Sequence, residues 1–395
     1  MYFLVSFSML TPPGTPVTTI ESNHAMNQII NLNPFGDLQQ LPLIFLSAGA
    51  MWVLLRGADL LVEGAASFAY RMGMPKVIVG ATIVSLGTTS PEAAVSVMAA
   101  WAGDAGLALG NAVGSIIADT GLIFGLGCAI VILPADRFVL TRQGWVKIST
   151  DVLLAAICYG VWLMMGDDAA LGRWVGVLMV ALLVAYMVIS IKWSKLHPAA
   201  PAPIVTGEPG VPAQDESAVE EVLGEDAEIR ADAPIWLTLT MLIVGLFLVV
   251  GSSHFLIATV KVLAEKHWGV PDVVIAGTLI AFGTSLPELA VGMTSIAKGH
   301  TALLVGNVIG ADILNVLFVI GASAIAKELP IIDLGGDQPM IFLWLHLPVM
   351  IMMTGLFLFY IFRAVRRGRF SRWMGYPLLI LYVGYVVVGL MTSAG

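Results

Sequence analysis

The chain has 395 residues, of which 58% are hydrophobic and only 12% charged, with a mean hydropathy of +0.91. A water-exposed domain carries about 25% charged residues, so the composition excludes one and points to an integral membrane protein. Apolar runs of roughly 20 residues recur along the whole length, which excludes the short alternating strands of a membrane β-barrel. The net charge of −8 says little about partners: residues 197–233 hold nine acids against the single base Arg230 and account for all of it.

The first forty residues open on a short apolar run, MYFLVSFSML, with neither a basic flank nor a small-residue cleavage site. They read as an extracytoplasmic tail rather than a signal peptide. Five membrane helices are expected next, over 41–70, 75–101, 106–131, 145–166 and 170–192. A Pro- and Ala-rich acidic segment at 193–233 then has the composition of a solvated linker. Five more helices are expected over 234–263, 271–297, 301–325, 339–363 and 374–393. The predicted organisation is therefore a tail (1–40), a first repeat (41–192), a linker (193–233) and a second repeat (234–395). Cys128 and Cys158 fall in different apolar helices and read as small core residues.

Lys and Arg set the expected orientation. One side collects Arg71, Lys76, Arg137, Arg142, Lys147, Lys192, Lys195, Arg230, Lys298 and the cluster from Arg363 to Arg372. The other holds only Arg173, Lys261, Lys266 and Lys327. This puts both termini outside a cytoplasmic membrane and the linker in the cytoplasm. Because five is odd, the second half enters the bilayer from the opposite face, as in the inverted repeats of secondary transporters.

The repeat is visible in the residues. Positions 80–95 read GATIVSLGTTSPEAAV and positions 276–291 read AGTLIAFGTSLPELAV, an offset of 196 residues. Each copy buries a carboxylate, Glu92 or Glu288, where an ionisable group costs about 2.5–3.5 kcal/mol even on the lenient insertion scale. Ser85, Thr88 and Glu92 share one helical face, as do Ala281, Thr284 and Glu288. Pro91 and Pro287 lack the N–H groups that would bond the carbonyls of Gly87 and Gly283. Freed carbonyls are tolerated at bilayer depth where they line a cavity. With hydroxyls and carboxylates they make an oxygen-only environment suited to a hard cation such as calcium or sodium. The following helix of each half carries a second motif, GNAVGSIIAD at 110–119 and GNVIGADILN at 306–315. It adds Asn111, Ser115 and Asp119 in the first half, and Asn307, Ala311 and Asn315 in the second. The glycines at 110, 114, 306 and 310 thin these helices for close packing.

These paired motifs resemble the two α-repeats of the cation/calcium exchanger superfamily, and of its prokaryotic sodium/calcium exchanger group in particular. The resemblance covers essentially all ten helices. It implies an all-α membrane protein of two inverted five-helix repeats, not an enzyme, that exchanges sodium for calcium. It implies no cofactor beyond the transported ions and no nucleic-acid or obligate protein partner. The implied ion-binding residues are Thr88, Thr89, Glu92, Thr284, Ser285, Glu288, Ser115, Asp119 and Asn315, with backbone carbonyls near Ser85 and Ala281.

Three departures from the family pattern bear on the ions carried. Thr89 replaces a serine and is followed by Ser90; Ala311 replaces a serine; and Asp119 and Asn315 exchange the halves in which the acid and amide stand. Two glutamates neutralise one calcium ion, so Asp119 adds a charge for sodium or a proton to balance. Val113 and Ile309 stand where a proton/calcium exchanger has glutamate, and Glu288 stands where a potassium-dependent one has aspartate. The absence of HExxH and GxGD sequences argues against an intramembrane hydrolase, while a passive cation channel would use similar acidic rings. Arg56, Asp59 and Glu63 share one face of the first helix and read as a self-neutralised cluster. Asp312 either joins the site or serves a structural hydrogen bond. His254 and His346 either sense protons or bridge neighbouring helices.

Overall fold

A computed structural model describes residues 38–196, 234–267, 284–332 and 340–393. The tail, the acidic linker and the first part of the expected seventh helix, with Ala281, lie outside these residues. The first half forms α1 (Gln40–Met72), α2 (Lys76–Thr88), α3 (Ser90–Ala102), α4 (Ala105–Ile130), α5 (Arg137–Asp168) and α6 (Arg173–Leu196). The second half contributes α7 (Ile235–Val262), α8 (Leu286–Ala297), α9 (Thr301–Ala326), α10 (Phe342–Arg367) and α11 (Arg372–Thr392).

Each of the ten expected segments contains a helix, and eight of the helices are long and apolar enough to cross a membrane. The remaining two segments are the motif-bearing ones. The first is broken into α2 and α3, and α8 is the described part of the other. Helix α5 begins eight residues earlier than hydropathy indicates. The Asp136 carboxylate caps it by accepting the Val139 N–H at 2.9 Å, and a capping bond holds polar first turns that an apolar-run criterion passes over.

The irregularities recur at the same offset as the motifs. Asp119–Phe124 and Asn315–Ile320 are both π-turns. Thr89 and Ser285 interrupt their helices with matching torsions, φ −80°, ψ −4° and φ −86°, ψ 8°. Strand pairing, which the sequence does not signal, follows the same symmetry. Strand β1 (Leu133–Pro134) pairs antiparallel with β4 (Arg369–Phe370), and β2 (Ala170–Leu171) with β3 (Leu329–Pro330). Each clip ties the end of α4 or α9 to the segment preceding the last helix of the opposite half.

Helices α9 and α4 form the centre: 94% and 78% of their most apolar windows are buried, against 17% for α11. Lipid tails give helices no hydrophobic reason to associate, so close backbone packing at small residues holds such a bundle. A Cβ on Gly310 would lie 2.5 Å from the Ala81 Cα, and one on Gly80 would lie 2.7 Å from the Leu303 carbonyl oxygen. The glycines of the second GN motif thus press α9 onto α2, across the two halves. Contacts of Gly125 with Gly375 and of Gly321 with Gly176 join α4 to α11 and α9 to α6. Gly57 and Gly245 let α1 and α7 meet backbone to backbone. Trp52, Trp174, Phe247 and Ile380 cover the outer surface. Cys128 and Cys158 are buried free thiols in the core, as expected.

Candidate functional site

The motif glutamates owe their position to the broken helices. Pro91 and Pro287 each sit at the start of a new helix, where the missing N–H costs nothing. Glu92 and Glu288 therefore fall in the first turns of α3 and α8. The positive end of the helix dipole lies beside them there. Asp119 and Asn315 open their respective π-turns, and such turns displace one residue out of helical register.

The two halves meet at these groups. Thr89 donates to Glu288 Oε1 at 3.4 Å, and Thr88 donates to Asn307 Oδ1 at 3.5 Å. Glu92 interacts with the charges of Glu288 and Asp119, and Asp119 with those of Glu288 and Asp312. Asn111, a member of the GN motif, braces α4 against α3 by donating to Ser96 Oγ at 2.9 Å and the Glu92 carbonyl at 3.3 Å. The Ser85 carbonyl receives the Thr89 N–H at 2.8 Å and the Thr88 hydroxyl at 3.4 Å.

Thr88, Thr89, Glu92, Ser115, Asp119, Thr284, Ser285, Glu288 and Asn315 are all buried. Among the described residues, both carboxylate oxygens of Glu92 and Asp119 and the second oxygen of Glu288 have no hydrogen-bond partner. The same holds for the hydroxyls of Ser115, Thr284 and Ser285 and for Asn315 Oδ1. Buried polar atoms are otherwise nearly always paired, so this concentration of orphaned oxygens fits a site completed by cations. Among the described residues no three His, Cys, Asp or Glu side chains form a metal cage. The donors are instead a mixture of carboxylate, hydroxyl and amide oxygens.

One charged residue stands differently from its sequence reading, and a second is decided between its two alternatives. Lys147, counted among the orienting charges of the cytoplasmic face, is fully buried. Because α5 starts at Arg137, Lys147 lies ten residues, about 15 Å, along the helix. Its ammonium bonds Asp151 at 2.8 Å and Asp312 at 3.0 Å. Asp312 also accepts from Thr120 at 2.6 Å, which resolves its two alternatives: it is a salt-bridge partner placed beside the site. The signal for this cluster was present as Lys147 and Asp151, one helical turn apart inside an apolar helix.

Outside the site, Arg56 pairs loosely with Asp59, at 3.9 Å, and Lys298 brings a second positive charge to the cluster on α1, 2.6 Å from Glu63 and 3.5 Å from Asp59. These pairs are partly hydrated, so Lys298→Ala should cost less than about 1 kcal/mol in thermal unfolding. His346 bridges α10 to α11 through Tyr385 at 2.6 Å. At the end of the α8–α9 loop, burial and the neighbouring Lys76 and Lys298 push His300 down to about 4, so the neutral ring sits 3.1 Å from the Lys76 ammonium.

The sodium/calcium exchanger protein family matches residues 42–192 and 237–391, nearly the whole of both repeats. The chain belongs to that family. It is 31% identical to the putative antiporter CaxA of Alkalimonas amylolytica, across 87% of this chain and 96% of that protein. It is 27% identical to the sodium/calcium exchanger MaX1 of Methanosarcina acetivorans, across 85% and 95%. Its fold matches the solved sodium-calcium exchanger NCX_Mj, soaked with sodium and strontium, with a TM-score of 0.67, 23% identity and coverage of 88% and 99%. The protein is thus a multi-pass membrane protein of a cation/calcium exchanger family, with the ten-helix architecture of two inverted repeats.

Proposed function

We propose that this protein exchanges sodium for calcium across the cytoplasmic membrane by alternating access to one midplane site. Its termini face outward and its acidic linker inward. The observation that carries this reading is the pair Glu92 and Glu288, one from each half, buried together with unpartnered oxygens. Two carboxylates balance one calcium ion, and the surrounding hydroxyl and amide oxygens replace its water. Calcium sits between these glutamates, with Thr88, Thr89, Thr284, Ser285 and backbone carbonyls near Ser85 and Ala281 completing the ligands. Ser115, Asp119 and Asn315 extend the site, and Asp119 serves sodium or a proton. Because the site is shared between interlocked halves, rocking one half against the other would open it to either side in turn. The likeness to the sodium/calcium exchanger MaX1 supports these substrates, and the match to NCX_Mj supports the fold that would carry them.

Radioactive calcium uptake into reconstituted vesicles, with sodium, proton and potassium gradients imposed separately, tests the reading. Uptake is expected under the outward sodium gradient. Uptake driven only by a proton gradient would replace sodium by protons, and none under any gradient would refute calcium transport. Asp119→Asn should alter the sodium dependence or pH profile of exchange; an unchanged profile in both would remove Asp119 from coupling.

A further inference from the structure

Four helices converge on one buried ammonium. Lys147 on α5 lies 2.8 Å from Asp151 Oδ2, 3.0 Å from Asp312 Oδ2 on α9, and 5.2 Å from the centre of the Phe357 ring on α10. The acceptors are themselves held: Thr354 of α10 donates to Asp151 Oδ2 at 2.7 Å, and Thr120 of α4 to Asp312 Oδ2 at 2.6 Å. The Oδ1 atoms of both aspartates remain without a partner. Thr120, which bonds Asp312, directly follows Asp119 in the chain. The cluster therefore borders the proposed ion site.

Its composition suits a monovalent cation: two carboxylates, each held by a threonine hydroxyl, and an aromatic face around one positive charge. A buried ion pair is weak as a stabilising device, because apolar residues often replace it without loss. A cation bordering an ion pathway does something apolar residues cannot, because it occupies a position and cancels a charge there. We propose that Lys147 is a tethered monovalent cation. Its ammonium permanently fills one cation position beside the transport site and keeps free sodium or potassium out of it. It thereby sets how many monovalent ions take part in each cycle. Lys147 touches no transported ion and acts by position. This proposal rests on the exchange reading above.

Lys147→Ala leaves the carboxylates, hydroxyls and ring with no cation. The variant should acquire a requirement that the unmodified protein lacks, for added potassium or methylammonium. Calcium uptake should rise roughly tenfold with the added cation, and the melting temperature should climb with its concentration, as binding linkage demands. Lys147→Arg keeps the charge and should keep the original ion dependence. Lys147→Ala with unchanged responses to both cations, or Lys147→Arg with the new requirement, would overturn the proposal. If Lys147→Ala accumulates poorly, purification with potassium or methylammonium present throughout should recover it, and failure in every cation would also overturn the proposal. Absence of calcium uptake by the unmodified protein would refute the exchange reading instead, and the melting experiment would still report on Lys147.

Discussion

Replacing Glu92 or Glu288 by Gln should abolish calcium exchange in reconstituted vesicles while leaving the protein folded. The amide is nearly isosteric with the carboxylate, and among the described residues neither Glu92 oxygen has a hydrogen-bond partner, so the bundle loses little when Glu92 changes. Glu288 accepts from Thr89 at 3.4 Å, a long bond that Gln retains through its carbonyl oxygen. The ion loses far more. Removing one partner from a buried charge pair costs about 3–5 kcal/mol, which corresponds to a loss of roughly a hundredfold or more in calcium affinity. The loss should be similar for the two variants, because the residues occupy equivalent positions in the two halves. Calcium titration of melting temperature beside the uptake assay separates binding from folding. A variant that keeps calcium-dependent uptake near the original rate would contradict the shared-carboxylate site.

Gly306→Ala should have the largest effect on stability. A Cβ at Gly306 would lie 2.0 Å from the Val77 carbonyl oxygen and 2.8 Å from its carbon. Both obstacles are backbone, so neither yields by rotating a side chain. Overpacking typically costs 1–3 kcal/mol, and this contact should reach about 3 kcal/mol or more because α9 must move off α2. Gly384→Ala is the matched control, since a Cβ there meets no atom within 4 Å among the described residues. Thermal unfolding in detergent should show a large drop for the first and almost none for the second. Equal melting temperatures would refute backbone packing at the GN motif as the contact between the halves.

Helix number was legible because lipid forces the backbone to bond within its own segment, so the apolar runs mark the elements directly. The candidate site was legible as a pattern because duplication prints it twice: Thr88 with Thr284 and Glu92 with Glu288 stand at one offset in residues that lipid disfavours. Local geometry was less so. Pro91 and Pro287 signalled a disturbed helix, yet the restart that places each glutamate in a first turn depends on torsions at Thr89 and Ser285. The two-residue strands that clip the halves together carry no periodicity at all. Lys147 was misassigned because its depth follows from where α5 begins, and that start is fixed by the Asp136 cap rather than by an apolar run. Asp312 could be understood only with Lys147 beside it.

Uphill calcium movement tests the central claim most directly. Vesicles loaded with sodium and placed in sodium-free medium should accumulate calcium above its external concentration, and a sodium ionophore should abolish that accumulation. Calcium that merely equilibrates, with or without the ionophore, would make the protein a passive pathway and contradict exchange at the Glu92–Glu288 site.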